Sequence, residues 1–346
     1  MPDIELLKDL QAMPLDMKVA HTKARIREWV REYGTDGVYV SLGGKDSRVV
    51  LDIVRQMYPT VPAVFVDTGL EYPELRKSNL SLPNVVCLKP KISFVELIKK
   101  YGYPIISKEV CETVSQARKS LENGDGKYSY RLKKLNGELL DKKGRYSLFN
   151  TPKYKPLLNV DFLISGKCCD INKKAPIKEY EKKTGRVGIT GTMACESQLR
   201  MSKWLQNGCN AFDSKRPISN PISFWLENDV LEYIYIYKLD IPSVYGKVEK
   251  VYPIQKTMFD YEQGIRYRTT GCDRTGCIFC GFGCHLEKES RWLRLKETHP
   301  RQYEYCIGGG EYNEKGLWQP NKQGLGLGHC FDVLNEIYGK DFIVYK

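Results

Sequence analysis

Residues 40–47 read Val40-Ser41-Leu42-Gly43-Gly44-Lys45-Asp46-Ser47, an apolar run that turns through two glycines into a charged, hydroxylated stretch. Glycines lack a Cβ, so their backbone N–H groups can approach an anion closely. A helix beginning there adds oriented donors and a partial positive charge. Ser41, Ser47 and Lys45 contribute side-chain donors. Such a nest suits the phosphates of a nucleotide. The Gly-x4-Gly-Lys-Ser/Thr spacing of nucleoside triphosphatases is absent, so a different phosphate loop is expected.

The second chemical feature is sulfur. The 346 residues include 12 cysteines. Disulfides explain such a density in small secreted chains. Here the first residues lack a basic-then-apolar leader, and no apolar run is long enough to span a membrane. A cytoplasmic protein without membrane contact is therefore expected, and metal or thiol chemistry becomes the better account of the sulfur. Two groups stand out, Cys168-Cys169 and the series Cys272, Cys277, Cys280 and Cys284. Such compact spacing suits a [4Fe-4S] cluster, each iron of which needs a thiolate. Zinc competes, because Cys-x2-Cys is also half of a tetrahedral zinc site. Six cysteines contend for four places: Cys168, Cys272, Cys277 and Cys280 are ranked first, with Cys169 and Cys284 in reserve. Cys87, Cys111, Cys195 and Cys209 lie in or near apolar segments and are expected as core thiols. Cys306 and Cys330 come late in the chain, and His329 beside Cys330 would activate that thiol if the two met. His285 and His299 are assigned structural roles.

These residues need a scaffold. Gly37–Leu42, Ala63–Asp67, Asn84–Leu88 and Val187–Thr190 read as apolar strands. Helical periodicity lies between them, over Ser47–Tyr58, Ser93–Tyr101 and Glu196–Asn207, and a further amphipathic helix starts near Glu227. Alternation of this kind predicts an α/β protein, a twisted parallel sheet with helices on both faces, plus a Cys-rich C-terminal subdomain. The expected divisions are an N-terminal helical segment at 1–34, a nucleotide-binding domain at 35–250, and the cluster-bearing subdomain at 251–346. A basic, tyrosine-rich insertion at about 115–156 interrupts the middle one. Basic residues interleaved with aromatics suit a nucleic-acid-facing surface, a solvated loop being the plainer alternative. The formal charge of +12 favours an anionic partner in general.

With those residues in place a resemblance can be stated. Ser41-Leu42-Gly43-Gly44-Lys45-Asp46-Ser47 resembles the PP-loop of ATP pyrophosphatases and sulfonucleotide reductases, closer to the reductases in its Ser-x-Gly-x-x-Asp form. Asp67-Thr68-Gly69 through Pro73-Glu74 resembles the Asp-Thr-Gly-x-x-x-Pro-Glu segment of 3′-phosphoadenylyl sulfate (PAPS) reductases. Gly191-Thr192-Met193 through Glu196-Ser197 and Arg200 resembles a nucleotide-lining Gly-x-Arg-x-x-Glu-Ser-x-x-Arg pattern, with Met193 where the family carries Arg. Asn220-Pro221-Ile222 through Trp225 is similar to a further family segment, assigned a packing role. Adjacent Cys168-Cys169 with a distant Cys277-x2-Cys280 is similar to the cluster framework of adenylyl-sulfate reductases. The C-terminal Glu-Cys-Gly-x-His that supplies the reductase thiolate is missing.

The resemblance, to the PAPS reductase family within the PP-loop superfamily, implies a Rossmann-like fold and a bound adenine nucleotide. That nucleotide would be ATP, with Mg2+ as its companion ion, or adenylyl sulfate or PAPS. Ser41, Gly43, Gly44, Lys45, Asp46, Ser47, Asp67, Thr68, Gly69, Gly191, Thr192, Glu196, Ser197 and Arg200 are the implied nucleotide-binding residues, and Lys45, Asp46 and Arg200 the implied catalytic ones. The expected activity is sulfur transfer or adenylation-type chemistry with an iron–sulfur cluster. It resembles the PP-loop subunit of DNA phosphorothioation systems, with DNA or tRNA as sulfur acceptor and a separate sulfur or electron donor protein. A reductase producing sulfite and a metal-stapled nucleic-acid-binding protein without catalysis are the alternatives.

Overall fold

The computed structural model describes residues 2–124, 126–127, 129–252 and 265–346. Asp125 and Tyr128 of the expected basic insertion, and residues 253–264 of the expected Cys-rich subdomain, lie outside them. The chain forms two compact units, Met1–Pro90 with Ala175–Cys277 and Lys91–Lys174 with Ile278–Lys346.

The first unit carries α1 (Ile4–Ala12), α2 (Leu15–Tyr33), β1 (Val38–Leu42), α3 (Lys45–Met57), β2 (Ala63–Val66), α4 (Pro73–Leu80) and β3 (Val85–Leu88). After the chain returns it adds α8 (Ala175–Thr184), β5 (Val187–Ile189), α9 (Gln198–Asn207), β6 (Asn210–Ala211), β7 (Ile218–Ser219), α10 (Glu227–Tyr237), β8 (Val248–Val251) and β9 (Arg266–Thr269). The central sheet runs β3-β2-β1-β5-β7-β6, parallel except for the edge strand β6. The expected α/β class with a largely parallel sheet is therefore the observed one. Strands of such a sheet are covered on both faces and read as unbroken apolar runs. In β1, Tyr39 packs with Val64 against Ile177 and Tyr180 of α8, while Val38 and Val40, on the opposite face by alternation, are also wholly buried.

Helix α3 buries Val49, Val50, Ile53 and Val54 completely. Each such side chain contributes roughly 1.5–3 kcal/mol relative to its exposed state. The N-terminal helices belong to this same packing. Ile26 and Trp29 of α2 are fully buried, and Lys18 Nζ lies 2.7 Å from Asp229 Oδ2 of α10. Segment 1–34 is thus a layer of the first unit.

The second unit comprises α5 (Phe94–Tyr101), β4 (Ile105–Ile106), α6 (Lys108–Asn123), α7 (Ser129–Asn136), β10 (Gly281–Phe282), α11 (Arg291–Thr298), α12 (Pro300–Ile307), β11 (Glu311–Tyr312), β12 (Trp318–Gln319) and α13 (Leu327–Tyr338). Strand β10 pairs in parallel with β4, and β11 with β12 antiparallel. The expected insertion at 115–156 lies within this unit, and the expected boundary at 251 falls inside the first unit instead. The chain passes from one unit to the other three times, after Pro90, Lys174 and Cys277. No described helix is long and apolar enough to cross a membrane.

Candidate functional site

Because β1, β2, β3, β5 and β7 run parallel, the loops leaving their carboxyl ends open along one edge of the sheet. The chain order reverses around β1, which lies between β2 and β5. Open α/β sheets bind ligands at such a switch point. Every implied nucleotide residue of the first unit sits at this edge or one turn from it.

The glycine turn after β1 is tightly braced. Helix α3 begins at Lys45 with Gly44 as its cap, two residues earlier than periodicity indicates. Gly43 N–H donates to Ser47 Oγ at 2.7 Å, and Ser47 Oγ donates to the Gly44 carbonyl at 2.8 Å. Asn79 Nδ2 donates to the Gly43 carbonyl at 2.8 Å. The Lys45 N–H donates to the Tyr245 hydroxyl at 3.1 Å. Two glycines are required by close approach. A Cβ on Gly44 would stand 2.3 Å from the Tyr245 hydroxyl, and one on Gly191 would stand 2.9 Å from the Asp46 carbonyl and the Ser47 nitrogen.

Lys45 is buried, and its ammonium lies 2.8 Å from Glu227 Oε1, 3.1 Å from the Asp273 carbonyl and 3.3 Å from Asp46 Oδ1. Burial works against its charge, but Asp46 and Glu227 outweigh it and its pKa lies above the ordinary value. Burial raises the Asp46 carboxyl despite the pull of Lys45. Glu227 is also desolvated, yet its bond to Lys45 and the nearby Arg274 leave it below its usual range.

After β2, the buried Asp67 carboxylate receives Arg76 Nε and Nη2 at 2.8–3.0 Å. That guanidinium holds it below the usual carboxylate range. Thr68 donates to Glu71 from both N–H (3.0 Å) and Oγ1 (2.8 Å), which closes the turn around Gly69 (φ 73°).

After β5, Ala194–Glu196 form a single 3-10 turn, and Ser197 Oγ caps α9 by accepting from the Arg200 N–H at 3.3 Å. The helix expected from Glu196 therefore starts at Gln198. Glu196 Oε2 accepts from the Met193 N–H at 2.9 Å and pairs with Arg200. Thr192 and Arg200 also line a cavity of about 80 Å³ with Lys203, Trp204 and Asn220. Met193 is 1% exposed, and its thioether has no donor to offer an anion. Arg274 stands 3.9 Å from Glu196 Oε1 and 3.5 Å from Glu227 Oε2, and together with burial it lowers the Arg200 pKa. Arg200 and Arg274 thus both stand beside Glu196, and a guanidinium presents a planar fork of donors suited to carboxylate, phosphate or sulfate.

Sequence reasoning missed Glu227, Tyr245 and Arg274. Their signals were faint: Glu227 opens the helix after the Asn220-Pro221 segment, and Arg274 sits between two cysteines of the recognised series.

The cysteines divide between the units. Cys272 and Cys277 fall in the first, and Cys168, Cys169, Cys280 and Cys284 in the second. Within the second unit burial raises the Cys280 thiol, the nearby Arg291 opposes this, and Cys169 and Cys284 add to it. Arg291 Nη1 donates to the Cys280 carbonyl at 2.9 Å, and Cys284 Sγ donates to the Gly281 carbonyl at 3.2 Å. Among the described residues no group of three or more Cys, His, Asp and Glu side chains stands close enough to hold a metal ion.

Other thiols differ from expectation. Cys111 and Cys209 are buried, but Cys87 and Cys195 are exposed. Cys87 lies on β3, an edge strand with a solvent-facing side, and Cys195 on the surface of the 3-10 turn. Cys330 is wholly buried, and burial pushes its thiol well above the ordinary value. His329 does not activate it, since Nε2 lies 2.8 Å from Asp161 Oδ2 and its ring packs on Trp318 at 4.4 Å.

A braced glycine turn, a helix N-terminus and clustered guanidiniums at the switch point of a doubly wound sheet define an α/β protein of the PP-loop class. The family model described as "Phosphoadenosine phosphosulfate reductase domain" matches residues 109–281, half of the chain. The chain belongs to that family. The match includes the Gly191–Arg200 and Asn220–Trp225 segments and ends beyond Cys280, while the Gly43–Ser47 and Asp67–Gly69 loops precede it.

Among relatives, an adenosine 5′-phosphosulfate reductase of Geobacillus kaustophilus is 24% identical over 210 residues, 59% of this chain and 65% of that protein. A reductase of the same name from Staphylococcus haemolyticus is 23% identical over 258 residues, 73% of this chain and 84% of that one. An uncharacterized protein of Methanocaldococcus jannaschii is 24% identical over 75% of this chain but only 44% of its own length. The chain thus spans less than two thirds of two of these relatives. A phosphoadenylyl-sulfate reductase structure from Candida auris, a phosphate complex, shares 17% identity over 70% of this chain and 91% of that one, with a TM-score of 0.36.

Proposed function

We propose that this chain is a PP-loop enzyme that takes the anionic groups of ATP or an adenylyl sulfonucleotide at the carboxyl edge of its sheet and carries out sulfur-transfer or adenylation-type chemistry. The observation behind this reading is the convergence of Gly43–Ser47, Asp67–Gly69, Gly191–Arg200 and Arg274 on one edge. In it, backbone donors of the glycine turn hold the phosphate or sulfate. Arg200 and Arg274 turn from Glu196 to the same group, which supplies the anion contact that Met193 does not. Lys45 neutralises charge that builds during transfer, positioned by Glu227. With ATP, Mg2+ accompanies the phosphates, a substrate oxygen attacks the α-phosphorus and pyrophosphate leaves.

Reduction of adenylyl sulfate to sulfite is the second reading, favoured by the names of two relatives. It needs an external dithiol as reductant and an accessible thiolate, and the buried Cys306 and Cys330 are poor candidates for the latter. Cys168, Cys272, Cys277 and Cys280 are proposed as thiolates for a [4Fe-4S] cluster or zinc, but no step is assigned to it. We place the protein in the cytoplasm on this reading.

The test is calorimetric titration of anaerobically purified protein with ATP, adenylyl sulfate and PAPS, with iron, sulfide and zinc content measured alongside. Ser47→Ala should weaken binding about tenfold, as loss of a charge-assisted hydrogen bond does. Equal affinity in wild type and variant would remove the glycine turn from the site. Sulfite released from adenylyl sulfate and a dithiol protein would select the second reading over the first.

A further inference from the structure

The segment from Ser115 to Pro156 holds eleven Lys and Arg against four Asp and Glu, a net +7 out of the chain's +12. Its tip is a built hairpin. Leu140 bridges Tyr146 antiparallel, and Ser147 N–H donates to the Leu139 carbonyl at 2.8 Å. The Asn150 side chain brackets Leu139 with two bonds of 3.0 Å. Asp141 closes the turn, accepting from the Lys143 and Arg145 N–H groups at 2.8 and 3.0 Å and from the Arg145 guanidinium at 3.0 Å. The root is fixed as well, since Thr151 N–H donates to the carbonyl of the buried Lys134 at 3.0 Å.

This ordered frame keeps three large apolar side chains in water: Tyr146 is 76% exposed, Leu148 101% and Phe149 72%. Lys142, Lys143 and Arg145 beside them are exposed too. In α7, which precedes the hairpin in the chain, Tyr130 is half exposed, with Arg131 over its ring at 5.8 Å. A solvated loop gains nothing by fixing aromatic rings outward.

We infer that the hairpin at 138–150 is a docking surface for single-stranded nucleic acid, with Tyr146 and Phe149 stacking on bases and Lys142 and Lys143 meeting phosphates. Exposed rings rising from a cationic frame are the usual platform for an unpaired strand, because every base offers a π-face and every linkage a negative charge. A membrane surface needs a broader apolar face than a four-residue tip provides. The inference stands apart from the nucleotide reading, since no residue of the sheet edge enters it.

The experiment is fluorescence anisotropy of the full chain with labelled single-stranded 15-mers of DNA and RNA, a duplex of the same sequence, and anionic phosphatidylserine vesicles. Single strands should bind ahead of duplex and vesicles. Tyr146→Ala with Phe149→Ala should weaken binding about tenfold or more. Lys142→Gln with Lys143→Gln should lower the slope of log affinity against log salt by about 1.4. All four positions are solvent-exposed, and unchanged ATP titration and circular dichroism verify that each variant is folded. Binding that is absent, prefers vesicles, or is the same in wild type and both variants would overturn the inference. Strand binding that persists when ATP and adenylyl sulfate fail to bind would sink the proposed function and leave this one standing.

Discussion

Gly44→Ala tests how the glycine turn is held. Its backbone, at φ −87° and ψ −162°, suits any L-residue, and replacing glycine there gains about 0.5 kcal/mol by restricting the unfolded chain. The obstacle is Tyr245, whose hydroxyl would lie 2.3 Å from the new Cβ, over 1 Å inside an ordinary contact of about 3.5 Å. The ring is buried and its hydroxyl is engaged with the Lys45 N–H at 3.1 Å and Thr275 Oγ1 at 3.0 Å. Displacing it costs about 1–3 kcal/mol of overpacking and up to two hydrogen bonds at about 1 kcal/mol each. Gly44→Ala alone should therefore destabilise by about 3 kcal/mol. Tyr245→Phe alone loses the hydrogen bonds, about 1–2 kcal/mol. In the double variant the nearest remaining atoms are Thr275 Oγ1 at 3.5 Å and the ring carbon at 3.6 Å, both ordinary contacts. The pair should cost no more than Tyr245→Phe by itself, a favourable interaction of about 3 kcal/mol in a double-mutant cycle. Urea midpoints of the four proteins measure it. Simple additivity of the two losses would refute the reasoning.

Two further outcomes follow from buried charge. Lys18→Met strands the Asp229 carboxylate, which also caps Leu226 N–H at 2.7 Å, and should cost about 3 kcal/mol by urea denaturation; a loss under about 1 kcal/mol would contradict the pairing. Asp67 is held below its ordinary pKa by Arg76, so the folded state binds that proton more weakly. Its contribution is complete above the unfolded value of about 3.9 and fades as pH falls through the folded one. The stability gap between wild type and Arg76→Ala should therefore be wider at pH 6 than at pH 3, and an equal gap at both would rule the coupling out.

The sheet was legible because parallel strands buried on both faces leave unbroken runs such as Val38–Leu42 and Ala63–Val66, and because a glycine pair between strand and helix marks a loop. The two-residue strands β6 and β7 are too short to show periodicity. Lys45 and its partner Glu227 are 182 residues apart in sequence, and Arg274 reaches back to Glu196 from beyond β9. Only the folded chain reveals such pairings. The thiols were misjudged for a related reason: local apolarity around Cys87 and Cys195 does not say whether a strand lies at an edge or a turn lies on the surface.

The route of the chain has its own consequence. Strand β1 takes one neighbour from residues 63–66 and the other from 187–189, with most of the second unit made in between. During synthesis β1 waits with an open pairing edge for well over a hundred residues. Closing so large a loop is slow. Until Val187 emerges, β1 keeps one edge without its native neighbour, and an unpaired strand edge is a template for pairing with another chain.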